Sequence, residues 1–413
     1  MSKNHLPCTT LFVLLSISAV CGADEFHYNN ILIGDRASGM GGAYTAVSDD
    51  PGGMYYNPAG IAYSTGKNLS ASVNAYSVSN RTYKSAVGGQ DWKRTSSTLL
   101  PNYFGIIQPV GKLKLGFSYA VPDSNQEDQD QLFTYSGSTE TTVINFNNKN
   151  DTNLFGPSAA LQLNDSFSIG ATLYVHKRST EAILNASNLY GAGSAAADLG
   201  NLASWANSYI ETDEWGLKPI LGVMWSPIEK VSLGVTVSKT IILTSDILKQ
   251  ETSTANNPAR IYESYNYKRE YPYQIAAGVA CFPNSSLLLT GELSYYSSFD
   301  YTWVNGTEKR NAVLNGALGT EYFLNKNWAV RSGLFTDFSN TPSITEGYVN
   351  QREHIDMFGG SLTVSHFTKN TSLSCGGSYK FGSGKTQLFK DSVSIQNVDA
   401  SNWTLFVSSS YSY

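Results

Sequence analysis

The chain has 413 residues, a net charge of −5 and a pI of about 5.6, with 15 % charged and 12 % aromatic residues. So low a charge content is unusual for a soluble enzyme, where roughly a quarter of residues are charged. The acidic balance, without a basic stripe to neutralise phosphates, excludes a nucleic-acid partner.

Lys3 and His5 precede an apolar run from Leu11 to Val20, then the small residues Cys21-Gly22-Ala23 and the acidic pair Asp24-Glu25. A charged start, a short apolar core and a small-residue exit read as a secretory signal peptide over 1–23, too short for a spanning helix. A lipoprotein with Cys21 as the modified residue is the alternative, opposed by Val20 where a small residue is usual. Cys281 and Cys375 remain in the mature chain, both on outward positions of strands far apart in order, and read as unpaired small apolar residues. No later run reaches the roughly 18 to 20 apolar residues of a spanning helix, so a membrane would have to be crossed by strands.

Residues 24–66 form a distinct segment, the only long stretch dense in Gly, Ala and Asp that also carries apolar residues. Gly39 to Gly42 has no βαβ context and no following Gly-Lys-Ser/Thr, so it is not a phosphate loop. Gly41 and Gly42 instead suit close packing of the backbone against a wall. Asp49 and Asp50, before Pro51, are expected to hold a turn or to meet a lumen cation such as Arg331. Pro58 fixes its own φ and pushes Asn57 into an extended conformation, so Asn57-Pro58-Ala59 is a rigid corner.

From residue 67 on, apolar and polar residues alternate, as strand residues pointing to opposite faces do. Leu113, Leu115, Phe117, Tyr119 and Val121 share one face while Lys114, Gly116, Ser118 and Ala120 share the other. The pattern repeats in Phe167 to His176 and Val231 to Ser238. Counting in this way predicts fourteen strands: 67–80, 99–109, 112–121, 152–163, 166–179, 213–226, 230–243, 268–282, 286–300, 308–323, 327–339, 351–367, 370–382 and 400–413. Tight turns such as Pro109-Val110-Gly111 and Asn164-Asp165 alternate with long polar connections such as 122–151 and 180–212. Short turns at one end and long loops at the other are the pattern of an outer-membrane barrel, closed because lipid offers an open sheet edge no hydrogen-bond partner. The fold class is therefore all-β, a transmembrane antiparallel up-and-down barrel over 67–413, with the 24–66 segment as an insert that the β-structure holds.

Glu292, Glu321, Arg331 and Lys380 fall on inward positions, with Lys114 and His176 inward elsewhere; Glu321 and Arg331, on consecutive strands, are candidate partners. In the loop from Glu181 to Ile210, Leu199, Leu202, Ala206 and Tyr209 follow helical spacing with Trp205 near their rim, so an amphipathic helix is expected, either capping the loops or walling a groove for a hydrophobe. The five histidines show neither metal-ligand spacing nor a Ser-His-Asp arrangement, so no catalytic residue, metal or cofactor is assigned.

The segment GMGGAYTAVSDDPGGMYYNPAG (Gly39 to Gly60), the Pro101-Asn102-Tyr103-Phe104-Gly105 run, and the stretches Tyr271 to Asp300 and Leu318 to Pro342 together resemble the FadL and TodX type outer-membrane transporters of long-chain fatty acids and other hydrophobic compounds. The resemblance spans essentially the whole mature chain. It implies a fourteen-stranded barrel with an N-terminal hatch in the outer membrane of a Gram-negative bacterium. It also implies passive uptake of fatty acids or aromatic hydrocarbons, with hatch gating and release sideways through the wall. Trp403, Leu405, Val407, Ser409, Tyr411 and Tyr413 alternate to the last residue, which resembles the signal read by the barrel assembly machinery. The implied partners are hydrophobic small molecules and outer-membrane lipid, with the protein a monomer. The same family includes secretion accessories, so a barrel that binds a protein partner is the competing function.

Overall fold

The computed structural model describes residues 26–135, 140–191, 203–254, 260–303, 306–389 and 391–412. The 1–23 segment read as a signal peptide, with Cys21, lies outside them. Fourteen antiparallel strands close a barrel: β1 (Asn68–Val87), β2 (Gln90–Val110), β3 (Leu113–Thr134), β4 (Thr141–Asn164), β5 (Phe167–Leu189), β6 (Ala203–Ile228), β7 (Val231–Lys239), β10 (Tyr273–Asn284), β11 (Leu287–Tyr296), β14 (Val313–Asn325), β15 (Trp328–Asp337), β16 (His354–Phe367), β17 (Thr371–Thr386) and β18 (Gln396–Ser412). They hydrogen-bond in chain order, and β1 pairs with β18 to close the ring. Each predicted strand overlaps one of these, and two- or three-residue turns join them at one end.

The alternation explains the wall. On β6 the outward residues Trp215, Leu217, Pro219, Leu221, Val223 and Trp225 form an apolar run with tryptophan at each end. Ten steps of about 3.3 Å span about 33 Å along the strand, which tilts down to the roughly 25 Å band of an outer-membrane barrel. The inward residues of the same wall are small or polar: Ser118, Ser168, Thr172 and Ser374 are all buried. Cys281 and Cys375 are free thiols.

The long connections differ from expectation. Among the described residues, most of 81–98, 122–151 and 180–212 are not loops but continuations of β1 to β6 beyond the apolar band. Here both faces carry polar residues, as in Asn148, Asn150 and Thr152 inward against Lys149 and Asp151 outward, so a count of greasy faces misses them. Gly88 and Gly89, at φ 59° and 77°, form the two-residue turn between β1 and β2, the geometry that matches strand twist in a hairpin. The expected amphipathic helix is absent from the described part of 181–210: residues 203–210 belong to β6 and pair with β5, as in Ala186 with Ala206. The cross-strand ladder, continuing where the period was read as helical, decides the structure. Leu199 and Leu202 lie outside the described residues.

The outer extensions enclose their own core of Tyr83, Trp92, Phe133, Phe146, Met357 and Phe389. Arg94 is buried in it, 2.9 Å from Glu127 and with its guanidinium 4.2 Å from the centre of the Phe146 ring. The 244–267 connection carries β8 (Ile241–Ser253), which pairs with the outer part of β6, and β9 (Arg260–Tyr265), while β12 (Phe299–Trp303) and β13 (Gly306–Arg310) form a separate hairpin.

Candidate functional site: the hatch, the cavity and the wall gap

The segment inside the barrel consists of a strap from residue 26 to 33, helix α1 (Asp35–Gly39), helix α2 (Gly53–Tyr56) and a 3-10 turn at Pro58–Tyr63. Its turns and short helices hydrogen-bond internally, as in Met40 N–H to Ala37 and Asn57 N–H to Gly53, and inward side chains of the wall take further backbone groups. Glu292 accepts from the backbone N–H groups of Tyr44 (3.0 Å) and Thr45 (2.8 Å). The Ser361 hydroxyl donates to the Gly39 carbonyl and accepts from Gly41 N–H, each at 3.0 Å. Thr172 donates to the Met54 carbonyl at 2.8 Å, Ser168 to Ala59 at 2.9 Å, and Lys114 to Ser64 at 2.9 Å. The polar lining of this barrel thus adds to the backbone hydrogen bonding of its hatch.

The Asn57-Pro58-Ala59 corner takes the extended geometry read from the sequence, with Asn57 at φ −150° and ψ 99°. The Asn57 side chain accepts from Ala59 N–H at 3.1 Å and donates to the carbonyls of Thr45 (2.8 Å) and Val223 (3.1 Å). One amide therefore caps a turn, ties two parts of the hatch and reaches the wall. The wall yields space for it: a Cβ on Gly222 would sit 2.1 Å from the Asn57 Oδ1, and one on Gly170 would sit 2.4 Å from the Pro58 carbonyl carbon. Gly41 and Gly42 have φ of 65° and 84°, and a Cβ on Gly333 would sit 2.2 Å from Gly41 N.

Charges hold the hatch against β14 to β17. Glu321 and Arg331 pair as expected, at 2.6 Å, and Glu321 also takes Arg36 of α1 at 2.7 Å. Asp35 accepts from Ser374 at 2.7 Å and lies 3.7 Å from Arg331. Asp49 pairs with Arg36 at 2.5 Å, not with Arg331, because Arg331 is already engaged by Glu321 and Asp35. Asp50 holds its turn by accepting from Gly52 N–H at 2.7 Å. Lys380 reaches Asp337 at 2.8 Å and the strap at Asn29 and Asn30, while Asp337 accepts the N–H groups of Tyr28 and Asn29. All four lumen charges picked from the sequence therefore touch the N-terminal segment or its immediate support.

The opposite wall is different. β2 and β3 pair continuously from Tyr103–Ala120 to the turn, but beyond that only at Ser96–Glu127. Two prolines, Pro101 on β2 and Pro122 on β3, lie in the unpaired stretch and lack the N–H that a ladder needs. The ladder row Trp403–Val78–Ser97 passes through an aromatic rim of the wall, so Leu99 to Asn102 lie on the membrane side of it. Leu99 there is 71 % exposed. Outside the gap, side chains bridge the strands instead: Gln129 donates to Thr95 and Gln131 to Asp91. From inside, the strap covers the gap through Ile31 N–H to the Pro122 carbonyl (3.1 Å), Asn30 to Asp123 (3.2 Å) and Asn102 to the Leu32 carbonyl (3.0 Å).

Between strap, hatch and wall lies a cavity of about 210 Å³, which runs from Pro122 and Asp123 past Tyr55 and Tyr56 to Tyr271 and Tyr296. Trp205, Ala206 and Tyr209 stand on the outer part of β6 rather than on the cavity lining, with Trp205 39 % exposed. Sequence reading missed Lys218, Arg178 and Arg269 of this lining. Lys218 was recoverable, since the outward series Trp215 to Trp225 places it on the opposite face. Among the described residues no group of three or more His, Cys, Asp or Glu side chains is placed to hold a metal ion.

Comparison with known proteins agrees with this architecture. In fold the chain is similar to a Pseudomonas aeruginosa FadL homologue (TM-score 0.70, 15 % identity, 93 % of this chain and 99 % of the other). It is also similar to the P. putida toluene transporter TodX (TM-score 0.66, 13 % identity, 94 % and 99 % covered) and the Ralstonia pickettii toluene transporter TbuX (0.61, 14 %, 94 % and 99 %). No curated protein matches its sequence. The profile described as outer membrane protein transport protein (OMPP1/FadL/TodX) matches residues 14–349, and the chain belongs to that family of outer-membrane β-barrel proteins.

Proposed function

We propose that this protein takes up hydrophobic molecules passively across the outer membrane, with the hatch segment as gate and the β2–β3 gap as the sideways exit into the bilayer. The observation that carries this reading is continuity: one internal cavity, floored by the hatch, reaches Pro122 where the wall has lost its ladder. A molecule in the cavity is separated from lipid by the strap at Asn30 to Leu32, not by a hydrogen-bonded wall. Displacing the strap breaks a handful of hydrogen bonds, each worth a net of about 1 kcal/mol.

Uptake by such a route is a relay of apolar sites across a polar surface layer. Each site buries the cargo at about 0.8 kcal/mol per CH₂, enough to hold it and too little to trap it. The outer part of β6, with Trp205 and Tyr209 on one face, is the surface assigned to first collection. The barrel and the family of transport proteins to which the chain belongs support a channel rather than an enzyme. Cells producing the intact protein should accumulate a labelled fatty acid or arene faster than cells producing a form without residues 24–62, and the truncated form should gain ion conductance. Equal uptake with and without the protein would favour the competing function, a barrel serving a protein partner.

A further inference from the structure

Uptake as proposed above is indifferent to whether the cargo bears a charge; the cavity is not. One side of it is built from β5, β6 and the segment before β10. Ladder partners place Tyr174 beside Lys218, His176 beside Gly216 and Arg178 beside Glu214, and Arg178, Lys218 and Arg269 all act electrostatically on His176. Glu214 is fully buried and committed: it accepts from Arg269 at 3.2 Å and from the Tyr271 hydroxyl at 3.2 Å, with Arg178 at 3.9 Å. The carboxylates on the lining itself are occupied as well. Asp123 takes Asn30 and Asn150, Glu292 takes the hatch backbone and Ser294, and Glu270 pairs with Lys239 at 3.5 Å.

Two of the basic side chains on the lining are left over. Lys218 has the face of the Tyr55 ring, 5.4 Å from its ammonium, and no carboxylate among the described residues. His176 is 3 % exposed, and its Nε2 is buried without a hydrogen-bond partner, although its ring meets Tyr271 edge-on. An ammonium half withdrawn from water without an anion is unfavourable, and so is a buried donor without an acceptor. A neutral hydrocarbon entering here would drive water from the ammonium and leave the His176 donor unmet. A single carboxylate would satisfy both at once, accepting from Lys218 and from His176 in its Nε2–H tautomer.

The remainder of the cavity fixes the body of the ligand. Tyr55, Tyr56, Tyr28 and Tyr296 present ring faces and edges, with Tyr55 and Tyr56 edge-to-face at 5.1 Å and Tyr28 stacked on Tyr296 at 3.9 Å. The volume of about 210 Å³ is below the roughly 300–1,000 Å³ of pockets that take drug-sized molecules, so the body is compact. We propose that the cavity binds a small aromatic monocarboxylate, with its carboxylate on Lys218 and His176 and its ring among the hatch tyrosines. This assignment rests on the uptake reading and narrows its cargo.

The test compares benzoate, toluene and hexadecanoate, titrated calorimetrically against the full-length protein in lipid nanodiscs. Benzoate and toluene share a ring and differ in the carboxylate. The expected result is benzoate bound at least tenfold more tightly than toluene, a preference that Lys218→Met abolishes and Lys218→Arg keeps. Heat-modifiable gel migration confirms that each variant barrel is folded. Toluene or hexadecanoate binding without benzoate overturns the carboxylate assignment and leaves hydrophobe uptake standing. A benzoate preference unchanged in Lys218→Met also overturns it. Failure of all three to bind overturns both this assignment and the uptake reading.

Discussion

The hatch meets two kinds of wall. Against β14 to β17 it is held by charge: Arg36, Glu321, Arg331 and Asp35 form one network, in which the side chain of Glu321 is 1 % exposed, and Asp337 with Lys380 fixes the strap nearby. Against β2 and β3 it is held by single neutral or half-neutral hydrogen bonds, to a wall whose own ladder is interrupted at two prolines. Breaking a buried ion pair leaves an uncompensated charge, whereas breaking a neutral hydrogen bond that water can replace costs little. On the uptake route proposed above, this difference sets which side would move: the clamp side anchors the hatch, and the gap side would let the strap come away.

Removing a clamp charge should have the largest effect. Glu321→Gln leaves Arg36 and Arg331 without their shared carboxylate and should destabilise the hatch by about 3–5 kcal/mol, read as loss of amide-exchange protection over residues 35–41. Protection equal to that of the parent protein would remove the anchoring role. Asn57→Ala deletes one cap and two carbonyl contacts, for an expected cost of about 1–3 kcal/mol, confined to residues 57–63 and leaving the clamp protected. Loss of protection spreading to residues 35–41 would show that corner and clamp are one unit.

The smallest expected effect is a pH dependence. Burial, with Asp35 and Asp49 nearby, pushes the Asp50 carboxyl up to about 6, against the pull of Arg36 and a hydrogen bond from Tyr44. The folded hatch then holds this proton more tightly than an unfolded one, whose ordinary value is 3.8. Its contribution to stability is complete below that ordinary value and is lost as the pH rises through about 6. Hatch protection should therefore fall across pH 4 to 6, and Asp50→Asn should flatten the profile; a profile with the opposite slope contradicts the assignment.

How far these regions were legible in the sequence follows the same division. The clamp was readable because strand alternation assigns each charge a face: Glu321 and Arg331 had to point inward, and consecutive strands had to bring them together. The Asn57-Pro58 corner was readable from proline stereochemistry. The partner of Asp49 was not, since the 24–66 segment has no periodicity from which to place Arg36. The outer extensions of β1 to β6 were missed because their outward faces are largely polar and their apolar residues point inward, the reverse of a greasy outer face. The helix expected over Leu199 to Tyr209 came from a period that pairing of β5 with β6 overrides from residue 203 on. The gap needed the register. Pro101 and Pro122 are visible in the sequence, but only the ladder shows that they interrupt neighbouring strands at adjoining heights.

Restoring the two missing N–H donors tests whether that interruption is the exit. Uptake of a labelled hydrophobe is measured in cells producing the Pro101→Val, Pro122→Val double variant, alongside ligand binding to the purified barrel. A completed β2–β3 ladder should slow uptake by about tenfold or more, the equivalent of about 1.4 kcal/mol on the barrier, while binding in the cavity persists. Undiminished uptake with the ladder closed would contradict release through this wall.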